Sequence, residues 1–142
     1  MTERSLSVHD NLLVAYSVDL EKREIQFRTK FPSEPPEFTD VTFTGVDCYS
    51  FEHDSTCGTI IFDFVETSPL KVYEDNVAEL IAGIPYGWPG DWAKSREAAF
   101  QFFMKKEIKA WRLESSLGMT GWILAREMVK TQSNPTVELP TK

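Results

Sequence analysis

The chain has 142 residues, enough for one domain with its own core, and its 42% hydrophobic and 26% charged content is ordinary for a globular protein. The net charge of −7 disfavours a nucleic-acid partner, and two cysteines cannot build a disulfide framework. No apolar run approaches the ~20 residues of a membrane span, and Met1-Thr2-Glu3-Arg4-Ser5 leads into no signal core, so a soluble, cytoplasmic protein with no membrane partner is expected.

Residues 1–8 read as a loose lead-in to a single domain spanning residues 1–142. Leu12-Leu13-Val14-Ala15-Tyr16-Ser17-Val18-Asp19 is then a first strand, with Leu12, Val14, Tyr16 and Val18 on one face. After the polar turn Glu21-Lys22-Arg23, residues 24–30 return as a second strand with Ile25 and Phe27 inward and Gln26, Arg28 and Lys30 outward. The three prolines of residues 31–37 make a loop, since proline cannot donate to a ladder.

Residues 39–66 organise the chain as three further strands. Val41 and Phe43 alternate with polar neighbours, as do Tyr49 and Phe51, which send Cys48 outward. Ile60, Phe62 and Phe64 fall on one side and Asp63 on the other. An aspartate is rarely buried unpaired, so the sheet is expected to be antiparallel with one solvated face. Short turn-forming connections suggest pairing in sequence order, a five-stranded meander.

Ser68-Pro69 opens a helix as N-cap and first turn, and Tyr73, Val77, Leu80, Ile81 and Ile84 share a helical stripe. A second helix is expected from Trp92 or Ala93 to Glu107, capped by Asp91, with Ala99, Phe100, Phe103 and Met104 inward. Residues 109–114 and 122–128, separated by Gly118 and Gly121, read as a C-terminal hairpin, and residues 131–142 as a frayed tail. The fold expected is α+β: an antiparallel sheet, about five strands in meander plus a hairpin, packed on one face by two helices.

The chemistry-bearing residues are sparse. His9-Asp10 and His53-Asp54 could supply a base or a divalent-metal site, which makes a small hydrolase or a metal- or ligand-binding protein the alternative function. Cys48, His53 and Cys57, with His9, lack the close ligand pairs of structural zinc motifs. No nucleophile elbow and no phosphate-cradling glycine loop occur, so no catalytic residue, metal or cofactor is assigned.

Two surface features point instead to a protein partner. Between Asp47 and Glu79 lie eight carboxylates and one lysine, a sector that carries the entire net charge and would steer a basic partner inward. Tyr86-Gly87-Trp88-Pro89-Gly90-Asp91-Trp92 sets three large aromatics on a stiff loop, like anchors of protein interfaces, although such rings also serve as core cover. Glu74, Asp75, Tyr86, Trp88 and Trp92 are therefore the candidate partner-binding residues. Homo-oligomerisation through the sheet edge is a second arrangement open to the chain.

The opening His9-Asp10-Asn11-x-Leu13, the hairpin ending in Arg28, the segments Val41-Thr42-Phe43-x-Gly45-Val46 and Thr59-Ile60-Ile61-Phe62-Asp63, and the late Leu113-Glu114-Ser115-Ser116-Leu117-Gly118-Met119-Thr120-Gly121-Trp122 resemble a pattern in small, uncharacterised bacterial domains. Some of these are regarded as immunity proteins of polymorphic toxin systems. The resemblance covers residues 8–128 and implies a partner-binding α+β domain without catalytic residues.

Overall fold

The computed structural model describes residues 7–56 and 58–133. Eight antiparallel strands form one sheet: β1 (Leu12–Asp19), β2 (Glu24–Phe31), β3 (Glu37–Thr44), β4 (Cys48–Glu52), β5 (Ile60–Thr67), β6 (Lys109–Leu117), β7 (Thr120–Ala125) and β8 (Glu127–Ser133). Three helices, α1 (Pro69–Asp75), α2 (Val77–Gly83) and α3 (Arg96–Lys106), complete an α+β fold. The antiparallel sheet and the C-terminal β6–β7 hairpin are as the sequence indicates.

The order within the sheet, β4-β7-β6-β5-β1-β2-β3-β8, is not a consecutive meander. Of the five strands expected to form the meander, only β1, β2 and β3 pair in sequence order; β4 leaves β3 to pair with β7, and β5 lies between β6 and β1. The junction of β5 and β1 is a single opposed pair, Leu12 with Ile60. About this junction the sheet folds back on itself. Phe27 of β2 accordingly meets Phe51 of β4 and Phe64 of β5, while Phe43 of β3 meets Trp111 of β6, contacts between strands far apart in the order.

The fold-over encloses one core, of Val8, Ile25, Phe27, Val41, Phe43, Ile61, Phe64, Trp111, Leu113, Met119 and Ile123 with their neighbours. Phe27 is its centre, with rings of Tyr16, Phe43, Phe51 and Phe64 at 5.0–6.0 Å from its own. Val8, assigned to the lead-in by sequence, is fully buried here. A second core lies on the opposite face of β4, β7 and β6, under the helices: Cys48, Trp122, Leu124 and Ala110 against Val72, Tyr73, Leu80, Trp92, Ala99 and Phe103. Strand β7 is thus buried on both sides, which explains why Trp122-Ile123-Leu124-Ala125 shows no alternation.

Bulges revise two predicted faces. Leu13 opposes Thr29 and Ala15 opposes Arg28, so Val14 is an extra residue. Leu13, Tyr16 and Val18 consequently pack inward, while Leu12 and Val14 point to solvent. In β5, irregularities on either side of Ile61 put Ile61 and Phe64 in the core in place of an Ile60–Phe64 alternation; the side chain of Phe62 is outside the described set.

The first predicted helix is two. Asn76 sits at φ −125° and its Nδ2 donates to the Val72 carbonyl at 2.8 Å, competing with the backbone ladder and breaking the helix there. Val72, Tyr73 and Leu80 face inward, but Val77 and Ile81 turn outward. The second helix begins at Arg96, capped by Ser95, whose Oγ accepts from the Ala98 N–H at 3.0 Å; the segment from Asp91 to Lys94 is a 3-10 turn. Ala99 and Phe103 are buried, whereas Phe100 and Met104 are exposed. Residues 131–133, read as tail, extend β8 along β3; the rest of that predicted tail lies outside the described residues.

On the outer face of β2 and β3 the Arg28 guanidinium meets Asp40 through two hydrogen bonds, at 3.1 and 3.2 Å, with only 8% and 11% of the side chains accessible. Sequence alternation places Arg28 outward correctly, but it is not solvated. Removing one partner of so desolvated a pair leaves an uncompensated charge. Asp40→Ala is expected to cost about 3–5 kcal/mol in urea unfolding, and joint replacement, Arg28→Met with Asp40→Leu, far less. Phe27→Ala, which empties the centre of the aromatic cluster, should cost about 3–5 kcal/mol in the same measurement.

Candidate functional site

Of the three aromatics in the predicted docking set, Tyr86 is the one left exposed on the helical layer. Tyr86 ends a 3-10 turn that follows α2 directly, and Gly87 at φ +83° reverses the chain after it. The phenol stands 89% accessible. Val77 and Ile81, one helical turn apart on α2, are exposed on the same helix. Glu79, on that helix too, has no ion pair among the described residues.

The other two aromatics of the loop are core. Trp92 is only 9% accessible and stacks on Phe102 at 5.3 Å and 6°. Trp88 is half-buried, 6.2 Å from the Trp122 ring, and its carbonyl and ring occupy the space that a Cβ at Gly83 would need. The loop therefore pins the 3-10 segments to the second core and presents Tyr86 alone.

The acidic sector is dispersed and partly neutralised. Glu74 pairs with Arg96 at 2.7 Å; Asp75 lies between Lys71 at 3.1 Å and Arg112 at 3.9 Å. Asp63 faces Lys130 at 3.8 Å. These pairs are largely exposed and each contributes little to stability. Sequence proximity concentrates the carboxylates along the chain, but the fold-over distributes them over several faces.

The histidine readings find no support in geometry. His9 is exposed, its Nδ1 3.4 Å from Asp10, and His53 occupies a left-handed turn position at φ +64°. Among the described residues no group of three or more His, Cys, Asp or Glu side chains gathers to hold a metal. Cys48, predicted to point outward, does leave the first core but is buried in the second. Burial, with Asp47 beside it, pushes its thiol up and disfavours the thiolate that nucleophilic chemistry needs. Cys57 is outside the described residues.

The structure also assembles a cleft that no sequence motif announces. At the seam of the folded sheet, the β3–β4 connection (Gly45, Asp47) passes the β7–β8 link (Arg126), with the Arg126 N–H donating to the Thr44 carbonyl at 3.0 Å. Against them lie Arg23 from the β1–β2 turn and Phe102, Lys105, Lys106, Glu107 and Ile108 at the end of α3, around a cavity of about 440 Å³. Asp47 at its back has its carboxyl held above the usual range by burial, an effect countered by Arg23, by a hydrogen bond from Trp92 and by Lys106.

Fold and surface together define an antiparallel α+β domain with an exposed aromatic on its helical layer and a cationic seam. No protein-family model, no curated protein and no solved structure matches the chain. Among the described residues no helix is long and apolar enough to cross a membrane.

At the mouth of the first core the Tyr16 hydroxyl donates to Asp54 Oδ2. Burial first, and then this carboxylate, raise the Tyr16 phenol to about 12 from its usual 10.0. A raised acid pKa stabilises the folded protein while the phenol keeps its proton, so the contribution is complete below pH 10 and is lost as pH climbs to about 12. Urea unfolding across that window should show falling stability in the parent protein and a flatter profile in Tyr16→Phe.

Proposed function

We propose that the chain is a protein-binding module that engages a basic partner through its helical layer, with Tyr86 as anchor, Val77 and Ile81 as the apolar floor, and Glu79, Glu74 and Asp75 as charged rim. The observation that carries this reading is the 89% exposure of Tyr86 on a loop whose other aromatics are packed. A rigidly mounted phenol offers a large contact area at little entropic cost, as interface anchors do. The net charge of −7 supports a basic partner, since complementary fields raise the rate of encounter. The resemblance noted above suggests an immunity-type role, in which the partner is a basic toxin neutralised in the cytoplasm.

The reading leaves Trp92 out of the contact set, because its ring is committed to Phe102. Trp88 supports the loop from behind. Rim pairs such as Glu74 with Arg96 tune approach more than affinity.

Affinity capture from the native lysate, run in parallel with Tyr86→Ala and Glu79→Lys, tests the proposal. A basic protein retained by the parent chain should be released by Tyr86→Ala, at a cost of about 2 kcal/mol or more if the phenol is a hot spot. Glu79→Lys should slow its association and weaken the dependence on salt. Equal retention by all three chains, or no specific capture at all, would rule the helical layer out.

A further inference from the structure

We propose that the seam cleft binds a small phosphorylated molecule, with Arg23, Lys105, Lys106 and Arg126 gripping its phosphates and Phe102 and Ile108 receiving its apolar part. The cleft is distinct from the Tyr86 surface and does not depend on that reading.

Charge distribution is the first argument. The protein carries 15 Lys and Arg against 22 Asp and Glu. Yet Arg23, Lys105, Lys106, Lys109 and Arg126, a third of the cations, line this cleft and the adjoining 350 Å³ basin, with only Asp47, Glu107 and Glu127 as acids. The cations come from four separate segments: the β1–β2 turn, the last turn of α3, the start of β6 and the β7–β8 link. Their convergence is therefore a product of folding and not a charged run. Like charges drawn into one concavity repel, and a polyanion relieves that repulsion.

The local acids do not cancel the surplus. Glu107 pairs with Arg126 at 3.0 Å, but both side chains are more than half exposed, so an incoming phosphate can displace the carboxylate at little cost. Asp47 faces Arg23 and Lys106 as well as accepting a hydrogen bond from Trp92, and so offsets part of the positive charge, but five cations still meet only three carboxylates. At the negative end of α3, which opposes an anion, two of the last four carbonyls are satisfied: the Glu107 N–H donates to the Met104 carbonyl at 3.3 Å and the Ile108 N–H to the Phe103 carbonyl at 2.9 Å.

Shape is the second argument. About 440 Å³ falls in the range of small-ligand clefts, and its wall includes Phe102, held flat by its stack on Trp92. Arg126 lies against the bare backbone of Gly45: its Cβ, Cγ and Cδ fill the space that a side chain at that position would take. Gly45 itself sits at φ +64°. An arginine placed at the seam can present its planar fork to a phosphate.

The test is calorimetry and amide-shift titration of the full chain with two probes, inorganic pyrophosphate and ATP. Saturable 1:1 binding of either probe is expected, weakened at least ~10-fold by Lys105→Glu with Lys106→Glu and by Arg23→Gln, and unchanged by Lys130→Gln on β8. Arg23 lies in an exposed turn, so its variant keeps the test valid should the double variant unfold. Shifts should centre on Gly45, Glu107 and Arg126, and ATP should bind more tightly than pyrophosphate if Phe102 stacks on the base. No saturable response up to about 10 mM with either probe, or equal affinity in the cleft variants, would overturn the proposal. Equal affinity for the two probes would remove the role given to Phe102.

Discussion

The packing of Phe27 against the rings of Tyr16, Phe43, Phe51 and Phe64 is the interaction on which the rest depends. Strands β5 and β1 are joined by one opposed pair, too little to fix the angle between the two halves of the sheet. Side chains do that work. Aromatic rings from β1, β2 and β3 on one half and β4, β5 and β6 on the other interlock at edge-to-face or tilted angles, and such pairs add specificity to the apolar area they bury. With the halves so held, the chain can pass from β7 to β8 through Arg126 alone, although these strands stand six places apart in the sheet order.

This crossing generates both surface features of interest. Folding the sheet exposes the outer side of β4, β7 and β6 as an apolar platform, which the helices and the tryptophan loop cover. Covering it uses Trp88, Trp92, Val72, Tyr73, Leu80 and Phe103 and leaves Val77, Ile81, Tyr86, Phe100 and Met104 over. At the same time, the two crossing connections and the end of α3 leave a notch, and cations distant in sequence collect there. One surface is apolar with an acidic rim, the other concave and basic. On the two proposals made above, a molecule of net charge −7 would address two ligands of opposite sign at separate places.

How much was legible in the chain differs from element to element, for physical reasons. Ile25, Phe27, Val41 and Phe43 alternate cleanly because β2 and β3 carry no bulge, and all four are buried as the pattern indicates. The same rule fails at Leu12 and Val14, since one extra residue inverts every face before it and composition gives no sign of the insertion. The stripe from Tyr73 to Ile84 fails similarly: it assumes one straight helix, and Asn76 breaks it. Of the candidate docking residues, the exposed Tyr86 and the buried Trp92 share one Gly- and Pro-rich loop, and nothing local separates them: the burial of Trp92 involves Phe102 ten residues later. The cationic seam had no local signal at all, because Arg23, Lys106 and Arg126 become neighbours only through the crossing.

The sequence by itself determined the α+β class, the antiparallel sense of the strands, the C-terminal hairpin and the position of the first helix cap, since each follows from alternation, turn chemistry or a cap within a few residues. Tertiary structure alone decided which strands adjoin, where the sheet folds, which aromatics stay exposed and where the charges gather. Those outcomes rest on contacts between segments tens of residues apart. Their strength depends on shape complementarity across the core, which no short window of sequence contains.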